Sequence, residues 1–221
     1  MIGEQLSEIY QLLYERFGPQ HWWPGETQFE IIVGAILTQN TSWANVEKAI
    51  ANLRSADRLT PEALHALDHA PLAELIRSAG YFNIKAKRLI SFLNWLFENY
   101  DGRLQELEAV NTYQLRAELL AVKGIGPETA DSILLYAFDR PVFVVDAYTA
   151  RIAVRHHLIE PDAGYGQLQD LFQSNLQQDV QFFNEYHALL VRLGKEFCKP
   201  RPKCPACPLQ HLPHTIDTED L

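Results

Sequence analysis

The chain has 221 residues, of which 47% are hydrophobic and 21% are charged, and these proportions are typical of a globular protein with one or two domains. No apolar run approaches the roughly 18 residues of a membrane span, and the acidic, amphipathic N-terminus is unlike a secretory signal, so we expect a cytoplasmic protein. The formal net charge of −9 is unusual for a protein that binds nucleic acid through lysine and arginine.

Apolar residues recur at helical spacing along most of the chain. Thr60 followed by Pro61, and Gly126 followed by Pro127, have the residue types that begin helices. The one strand-like run, residues 141–145, is short and has no partner, so we interpret it as an extended buried connector. The sequence therefore predicts an all-α fold with about ten helices. The clearest helical periods start at Phe29, Ala130 and Tyr186.

Residues 115–138, LRAELLAVKGIGPETADSILLYAF, predict two helices joined by a tight turn. The first helix ends near Ala121, the turn comprises residues 122–126, and Pro127 begins the second helix. Because the turn meets a helix N-terminus, its N–H groups and the helix dipole together favour an anion such as a DNA phosphate.

The two glycines of the turn allow backbone conformations and close approaches that a Cβ would forbid. Ile125 lies between them and is expected to anchor the turn in the core. Taken alone, a Gly-x-Gly turn is more typical of an ordinary helical hairpin. A dinucleotide-binding loop is disfavoured, because no strand precedes Gly124 and Thr129 stands where a third glycine would be.

A second block, VVDAYT at residues 144–149, places an aspartate twenty residues after the second glycine. Together, KGIGPETAD and VFVVDAYTARI resemble the endonuclease III superfamily of helix-hairpin-helix DNA glycosylases, and best of all its 3-methyladenine glycosylase III branch. The resemblance extends to residues 29–50, residues 80–89 and the cysteine-containing tail. It implies a base-excision repair enzyme that acts on double-stranded DNA carrying a damaged base.

The same resemblance suggests two helical lobes with a cleft between them. One lobe would comprise residues 25–140 and contain the hairpin at 122–126. The other would comprise residues 1–24 and 141–221, including a cysteine loop at 198–207. We expect the enzyme to act as a monomer and away from membranes.

The resemblance assigns the catalytic carboxylate to Asp146. Hydrolysis of an N-glycosidic bond passes through an oxocarbenium-like sugar, and a nearby carboxylate can stabilise that charge or activate the attacking water. The apolar residues at 143–145 would partly desolvate the carboxylate and strengthen its field. An aspartate before a helix is also a common N-cap, and the two roles are compatible.

Relatives that also cut the DNA backbone carry a lysine nucleophile two residues after the second hairpin glycine. This chain has Glu128 there, and Lys123 on the turn is poorly placed to substitute for it. We therefore expect a monofunctional glycosylase in which water attacks. The alternatives are a bifunctional glycosylase/lyase for oxidised pyrimidines and a catalytically silent DNA-binding protein.

Aromatic and polar residues near the second helix are candidates for handling a flipped base. Trp22 and Trp23 offer faces on which a cationic, alkylated purine could stack, with core packing as the alternative for one of them. Gln39 and Asn40 match the base-pocket and wedge positions of the resembling family, although Gln39 also suits an ordinary polar helix end.

The hairpin is expected to hold the DNA backbone, and local positive charge is expected to offset the negative net charge. The predicted backbone-binding residues are Lys123, Gly124, Ile125, Gly126 and Thr129. The predicted positive clusters are Lys85 with Lys87 and Arg88, and Lys199 with Arg201 and Lys203.

Three cysteines, Cys198, Cys204 and Cys207, are crowded into the C-terminal tail. An odd, clustered set favours a metal site over disulfides. The tail resembles the four-cysteine loop that holds a [4Fe–4S] cluster in endonuclease III relatives, but its first gap is one residue shorter and Pro213 replaces the fourth cysteine. A histidine as the fourth ligand (His211 or His214), zinc instead of a cluster, and an empty remnant all stay open.

Overall fold

A computed structural model describes residues 1–216, and within this range all regular structure is helical, which confirms the predicted all-α fold. Residues 141–145 form no regular element and are mostly buried, as predicted for the connector. None of the helices in residues 1–216 combines the length and apolar content needed to cross a bilayer. The α-helices are α1 (Ile2–Phe17), α2 (Gln28–Leu37), α3 (Trp43–Ser55), α4 (Pro61–His65), α5 (His69–Leu75), α6 (Phe82–Tyr100), α7 (Leu104–Glu108), α8 (Thr112–Ala121), α9 (Pro127–Phe138), α10 (Ala147–Arg155), α11 (Tyr165–Gln173) and α12 (Val180–Glu196).

The described residues thus form more α-helices than the ten or so that we predict from the sequence. Two of them, α4 and α7, have only five residues each, too few to show a helical period of apolar residues. Two short 3₁₀ helices follow α5 and α12, at Arg77–Ala79 and Cys204–Ala206. The predicted start at Thr60 and Pro61 is confirmed, because the Thr60 side chain accepts a hydrogen bond from the backbone N–H of Ala63 at 3.2 Å.

The chain divides into two compact units, Trp23–Arg140 and a second unit formed by Met1–Trp22 with the residues from Pro141 onward. In the first unit, α2 packs along α9, and both helices are buried along nearly their whole length. Helices that are buried on nearly all sides have little solvent-facing surface and therefore form the centre of a core. The predicted cleft between two lobes stays a prediction.

In the second unit, α12 packs against both α1 and α10. Tyr186, which is fully buried, donates a hydrogen bond from its hydroxyl to the carbonyl oxygen of Leu6 at 2.7 Å and so joins α12 to α1. Phe143 of the connector stacks on Phe172 at a ring distance of 4.2 Å. The connector that leads to Asp146 is thus held by an aromatic core.

Lys85 does not belong to a positive surface cluster, contrary to the sequence prediction. Its side chain is buried, and its ammonium group donates to the carbonyl oxygens of Leu37 at 2.9 Å and Ala79 at 2.6 Å. Leu37 ends α2, so the cation satisfies a carbonyl that the helix leaves without a partner. Burial, and to a lesser extent the charge of Arg88, lowers the pKa of Lys85 to about 8.

We expect the stability of the protein to depend on the protonation of Lys85. Its ordinary pKa of 10.5 falls to about 8 on folding, so the cost of burying the charge is present below pH 8 and disappears as the pH rises through 10.5. Over that interval the wild type should gain up to about 3 kcal/mol in unfolding free energy relative to Lys85→Met. Urea unfolding at several pH values measures this, with the exposed Lys87→Met as the control. A difference between wild type and Lys85→Met that stays constant with pH would contradict the prediction.

Candidate active site

The hairpin between α8 and α9 has the predicted boundaries, since α8 ends at Ala121 and α9 begins at Pro127. Gly124 has a φ of +95°, a conformation that favours glycine. A Cβ at this position would also lie 2.4 Å from Cγ of Arg88. Ile125 is 5% exposed, which confirms it as the anchor of the turn, whereas Lys123 is exposed.

Gly126 has a different role from Gly124. Its φ of −96° is accessible to any residue, and a Cβ added there would meet no atom within 4 Å. It is the N-cap residue of α9 and supplies no side chain to bond the N–H groups of the first turn. Neither backbone conformation nor internal packing requires this glycine, so its effect is to leave an open approach to the positive end of α9.

The side-chain amide of Gln39 joins the hairpin to α6. Its amide nitrogen donates to the backbone oxygen of Gly124 at 3.2 Å and to Oγ1 of Thr129 at 2.8 Å, and Arg88 donates to its amide oxygen. The segment after α2 is therefore fastened to the hairpin. Thr129 is buried beneath this contact, and the roles predicted for Gln39 in the base pocket and for Thr129 in DNA binding stay predictions.

Asn40 follows directly and is exposed, with a φ of +53°. Asparagine tolerates this left-handed conformation better than most residues. The residues just before Asn40 are held in place, because Lys85 caps the end of α2 and the Gln39 side chain is bonded to the hairpin. Its wedge role stays a prediction.

The two tryptophans lie in different surroundings. Trp23 packs edge-on against Trp43 and in a tilted arrangement against Tyr136, in both cases at a ring distance of 4.9 Å. It therefore belongs to an aromatic cluster of the first unit. Trp22 has the ammonium group of Lys195 at 5.8 Å from its ring centre. Both rings are half-buried, and their role in base stacking stays a prediction.

A buried ion pair joins the two hairpin helices, and the sequence analysis did not single it out. Nε and Nη2 of Arg116 on α8 contact the two carboxylate oxygens of Asp131 on α9 at 2.6 and 2.9 Å, and Asp131 is fully buried. Such paired contacts are among the strongest that side chains make. In the sequence, the sign of this ion pair is Asp131 itself, a charged residue among the apolar residues of α9.

Asp146 is the N-cap of α10, as its position before a helix suggests. Its Oδ1 accepts hydrogen bonds from the backbone N–H of Thr149 at 2.7 Å and from the Thr149 hydroxyl at 3.0 Å. Its Oδ2 lies 3.6 Å from Nε2 of His187 on α12. The capping role therefore uses one carboxylate oxygen and leaves the other to different partners.

The surroundings of Asp146 favour its ionised form. The side chain is only 13% exposed, and burial alone raises the pKa of the carboxyl group. His187 and the two bonds from Thr149 lower the pKa by more, so it lies below its ordinary value of 3.8. A buried carboxylate that stays charged at neutral pH can stabilise a developing cation strongly.

The three cysteines line one small apolar pocket together with His156 and His214. Burial and the neighbouring thiols raise the pKa of Cys207, although metal ligation needs the thiolate. Within residues 1–216, no three His, Cys, Asp or Glu residues are grouped so that they could hold a metal ion. The described residues therefore do not fit a four-ligand cluster.

The loop has protein contacts of its own. The buried guanidinium group of Arg155 donates to the carbonyl oxygens of Lys199 at 2.6 Å and Pro200 at 3.1 Å, and one of its nitrogens lies 3.5 Å from Sγ of Cys198. Arg151 donates to the carbonyl oxygen of Cys198 at 2.7 Å. Two arginines of α10 thus hold the carbonyl groups that follow α12.

Comparison with known proteins agrees with this geometry. The model of a family described as HhH-GPD superfamily base excision DNA repair protein matches residues 33–178, which is more than half of the chain. The chain belongs to this superfamily. The predicted membership is thereby confirmed, and the protein is a DNA glycosylase of the base-excision repair type.

Similar proteins include a Methanocaldococcus jannaschii protein assigned by name to the DNA repair glycosylases, which is 48% identical over 95% of this chain and 96% of its own length. Endonuclease III of Thermotoga maritima is 28% identical over 93% of this chain and 91% of its own length. The crystal structure of H. pylori 3-methyladenine DNA glycosylase has a TM-score of 0.75 and 30% identity over 88% of this chain and 97% of its own. This similarity supports the predicted resemblance to the 3-methyladenine glycosylase III branch.

The two hairpin glycines should respond differently to alanine. Gly126→Ala should leave the unfolding free energy nearly unchanged but weaken DNA binding about tenfold, ~1.4 kcal/mol, because the new methyl group obstructs only an external ligand. Gly124→Ala should destabilise the fold by about 1–3 kcal/mol or more, owing to its positive φ and its contact with Arg88. Thermal unfolding and fluorescence anisotropy with duplex DNA measure both effects. Equal loss of stability in both variants would contradict the distinction.

The incomplete donor set predicts that protein purified without oxygen contains far fewer than the four iron atoms of a [4Fe–4S] cluster per chain. Elemental analysis for iron and zinc, together with visible absorbance, measures this. A variant with serine at all three cysteines is the control and should show the same metal content. Stoichiometric iron that this variant lacks would show that the loop rearranges to bind a cluster.

Proposed function

We propose that this glycosylase is monofunctional and hydrolyses the N-glycosidic bond of a damaged purine that has been flipped out of double-stranded DNA. The observation that carries the proposal is the buried Asp146 carboxylate, which the surrounding side chains keep ionised. Its negative charge would stabilise the oxocarbenium-like sugar as the base departs, and would orient or deprotonate the water that attacks.

The absence of a suitable amine supports attack by water. Glu128, not lysine, occupies the position of the Schiff-base nucleophile, and a carboxylate cannot form that intermediate. Lys85 lies in the same unit as the hairpin, but its amine is buried and bonded to two carbonyl oxygens. Lys123 is exposed on the turn, where its charge suits a phosphate.

The class of damaged base is inferred from two observations. The H. pylori 3-methyladenine DNA glycosylase is similar in sequence and structure, and its crystal structure contains 1,N6-ethenoadenine. Half-buried aromatic rings at Trp22 and Trp23 would stack on an alkylated purine, and a cationic purine would gain further attraction from their π faces. Both observations favour an alkylated purine over an oxidised pyrimidine.

In the first unit, the open N-terminus of α9 would bind the DNA backbone, and positive clusters elsewhere in the chain would each add local attraction for phosphates. Of the two predicted clusters, the one at Lys199, Arg201 and Lys203 is exposed, whereas the other is reduced by the burial of Lys85. Lysine and arginine displace counterions from the DNA phosphates that they neutralise, whereas uncharged main-chain N–H groups do not. DNA affinity should therefore fall only moderately as the salt concentration rises. We further propose that the enzyme acts as a monomer in the cytoplasm.

The proposal is tested with duplexes that each carry one damaged base, assayed for strand breaks with and without hot alkali. The wild type should release an alkylated purine and leave the strand intact until alkali is added. Asp146→Asn should slow base release by at least about 100-fold, as expected for the loss of one electrostatic stabiliser, while the Kd for DNA stays within about threefold.

Three results would overturn parts of this proposal. Strand cleavage without alkali, trapped by borohydride as a covalent complex, would indicate a bifunctional enzyme. Preference for an oxidised pyrimidine would correct the substrate class. Full activity of Asp146→Asn would remove Asp146 from the mechanism.

A further inference from the structure

The two carboxylate oxygens of Asp146 have different partners, and the difference points to a second residue in the reaction. Oδ1 accepts both hydrogen bonds from Thr149 and is committed to the start of α10. Oδ2 takes no part in these two bonds and has Nε2 of His187 at 3.6 Å. The carboxylate oxygen that is not used for capping is therefore the one that lies beside the histidine.

The packing of α10 on α12 fixes this arrangement. Gly194 lies seven residues after His187, two helical turns along the same face of α12. A Cβ at Gly194 would lie 2.3 Å from the ring of Tyr148 on α10, so only glycine permits the observed approach of the two helices. Arg151 then lies over the Tyr148 ring at 5.3 Å and donates to the carbonyl oxygen of Cys198.

His187 is an unusual residue for its place. It is 5% exposed and lies between buried residues of α12, where Tyr186 and Leu189 are both fully buried. A buried polar ring is costly unless its nitrogens have polar neighbours. The side chain therefore has a reason to stay beside the Asp146 carboxylate rather than to turn elsewhere.

Removal of the histidine would change the state of the carboxylate as well as its direction. Within residues 1–216, the groups that act on Asp146 are His187 from α12 and Thr149 from its own helix, and both oppose the effect of burial on its pKa. Without His187, the upward effect of burial on the pKa of Asp146 would be opposed by Thr149 alone. The carboxylate would then take up a proton at a higher pH, and Oδ2 would lose the neighbour that orients it.

We propose that His187 is a positioning residue for Asp146, which holds Oδ2 towards the reacting sugar or water through the 3.6 Å contact between Nε2 and Oδ2. The inference rests on the proposed catalytic role of Asp146 and adds to it a second residue, contributed by a different helix. His187 itself does not touch the substrate in this proposal. Its contribution is to the rate of base release and not to DNA affinity.

The test separates the effect of a polar nitrogen at the position of Nε2 from that of a merely buried ring. His187→Phe keeps an aromatic ring but removes both ring nitrogens, and should slow single-turnover base release about 10- to 100-fold with an unchanged Kd for DNA. His187→Gln can place an amide nitrogen near the position of Nε2 and should recover most of the rate. His187→Asn places its amide nearer the position of Nδ1 and should not recover the rate. The comparison of the glutamine and asparagine variants remains informative even if the phenylalanine variant fails to fold.

The matched control is Tyr186→Phe, which alters the neighbouring buried residue of the same helix and removes the bond to Leu6. It should lower the Tm while leaving the rate of base release unchanged. The pH profile gives a second readout, since the acid limb of base release should move to higher pH in His187→Asn but not in Tyr186→Phe.

Wild-type rates in both the phenylalanine and asparagine variants, alongside an inactive Asp146→Asn, would overturn the role of His187 and leave the proposed function intact. Equal rate losses in His187→Gln and His187→Asn, with no movement of the acid limb, would reduce His187 to a structural residue. A fully active Asp146→Asn would overturn the proposed function, and with it this inference.

Discussion

The first N–H groups of a helix have no acceptor within the helix, and this constraint shapes the start of α9 in one unit and the start of α10 in the other. At α10 the acceptor is Asp146, whose Oδ1 takes two hydrogen bonds from Thr149. At α9 the N-cap is Gly126, which offers no side chain and leaves the approach open. One helix start thus fixes a carboxylate in place, and the other keeps a positive end available to an anion.

Charged groups inside each unit are held by partners, which explains how an acidic protein builds such a site. Lys85 is bonded to two carbonyl oxygens, and Arg116 is paired with Asp131 through both carboxylate oxygens. Asp146 has Thr149 and His187. A buried charge without such partners would be too costly to keep, so the overall charge of −9 says little about the local field at any of these positions.

The cysteine tail resembles the cluster loop of endonuclease III relatives only in part. Cys198, Cys204 and Cys207 line one pocket, but Pro213 stands in place of a fourth cysteine, and the residues described do not form a metal-holding group. The surrounding carbonyl groups are instead bonded by Arg151 and Arg155. These hydrogen bonds join the loop after α12 to α10.

Sequence alone determined the helical class, the hairpin boundaries at Ala121 and Pro127, and the family, because these depend on local periods, turn residues and the order of motifs along the chain. Tertiary structure decided which charges are buried and what surrounds Asp146. The burial of Lys85 and the position of His187, forty-one residues after Asp146, result from helix packing. No local pattern encodes such contacts, since they depend on which faces of distant helices meet.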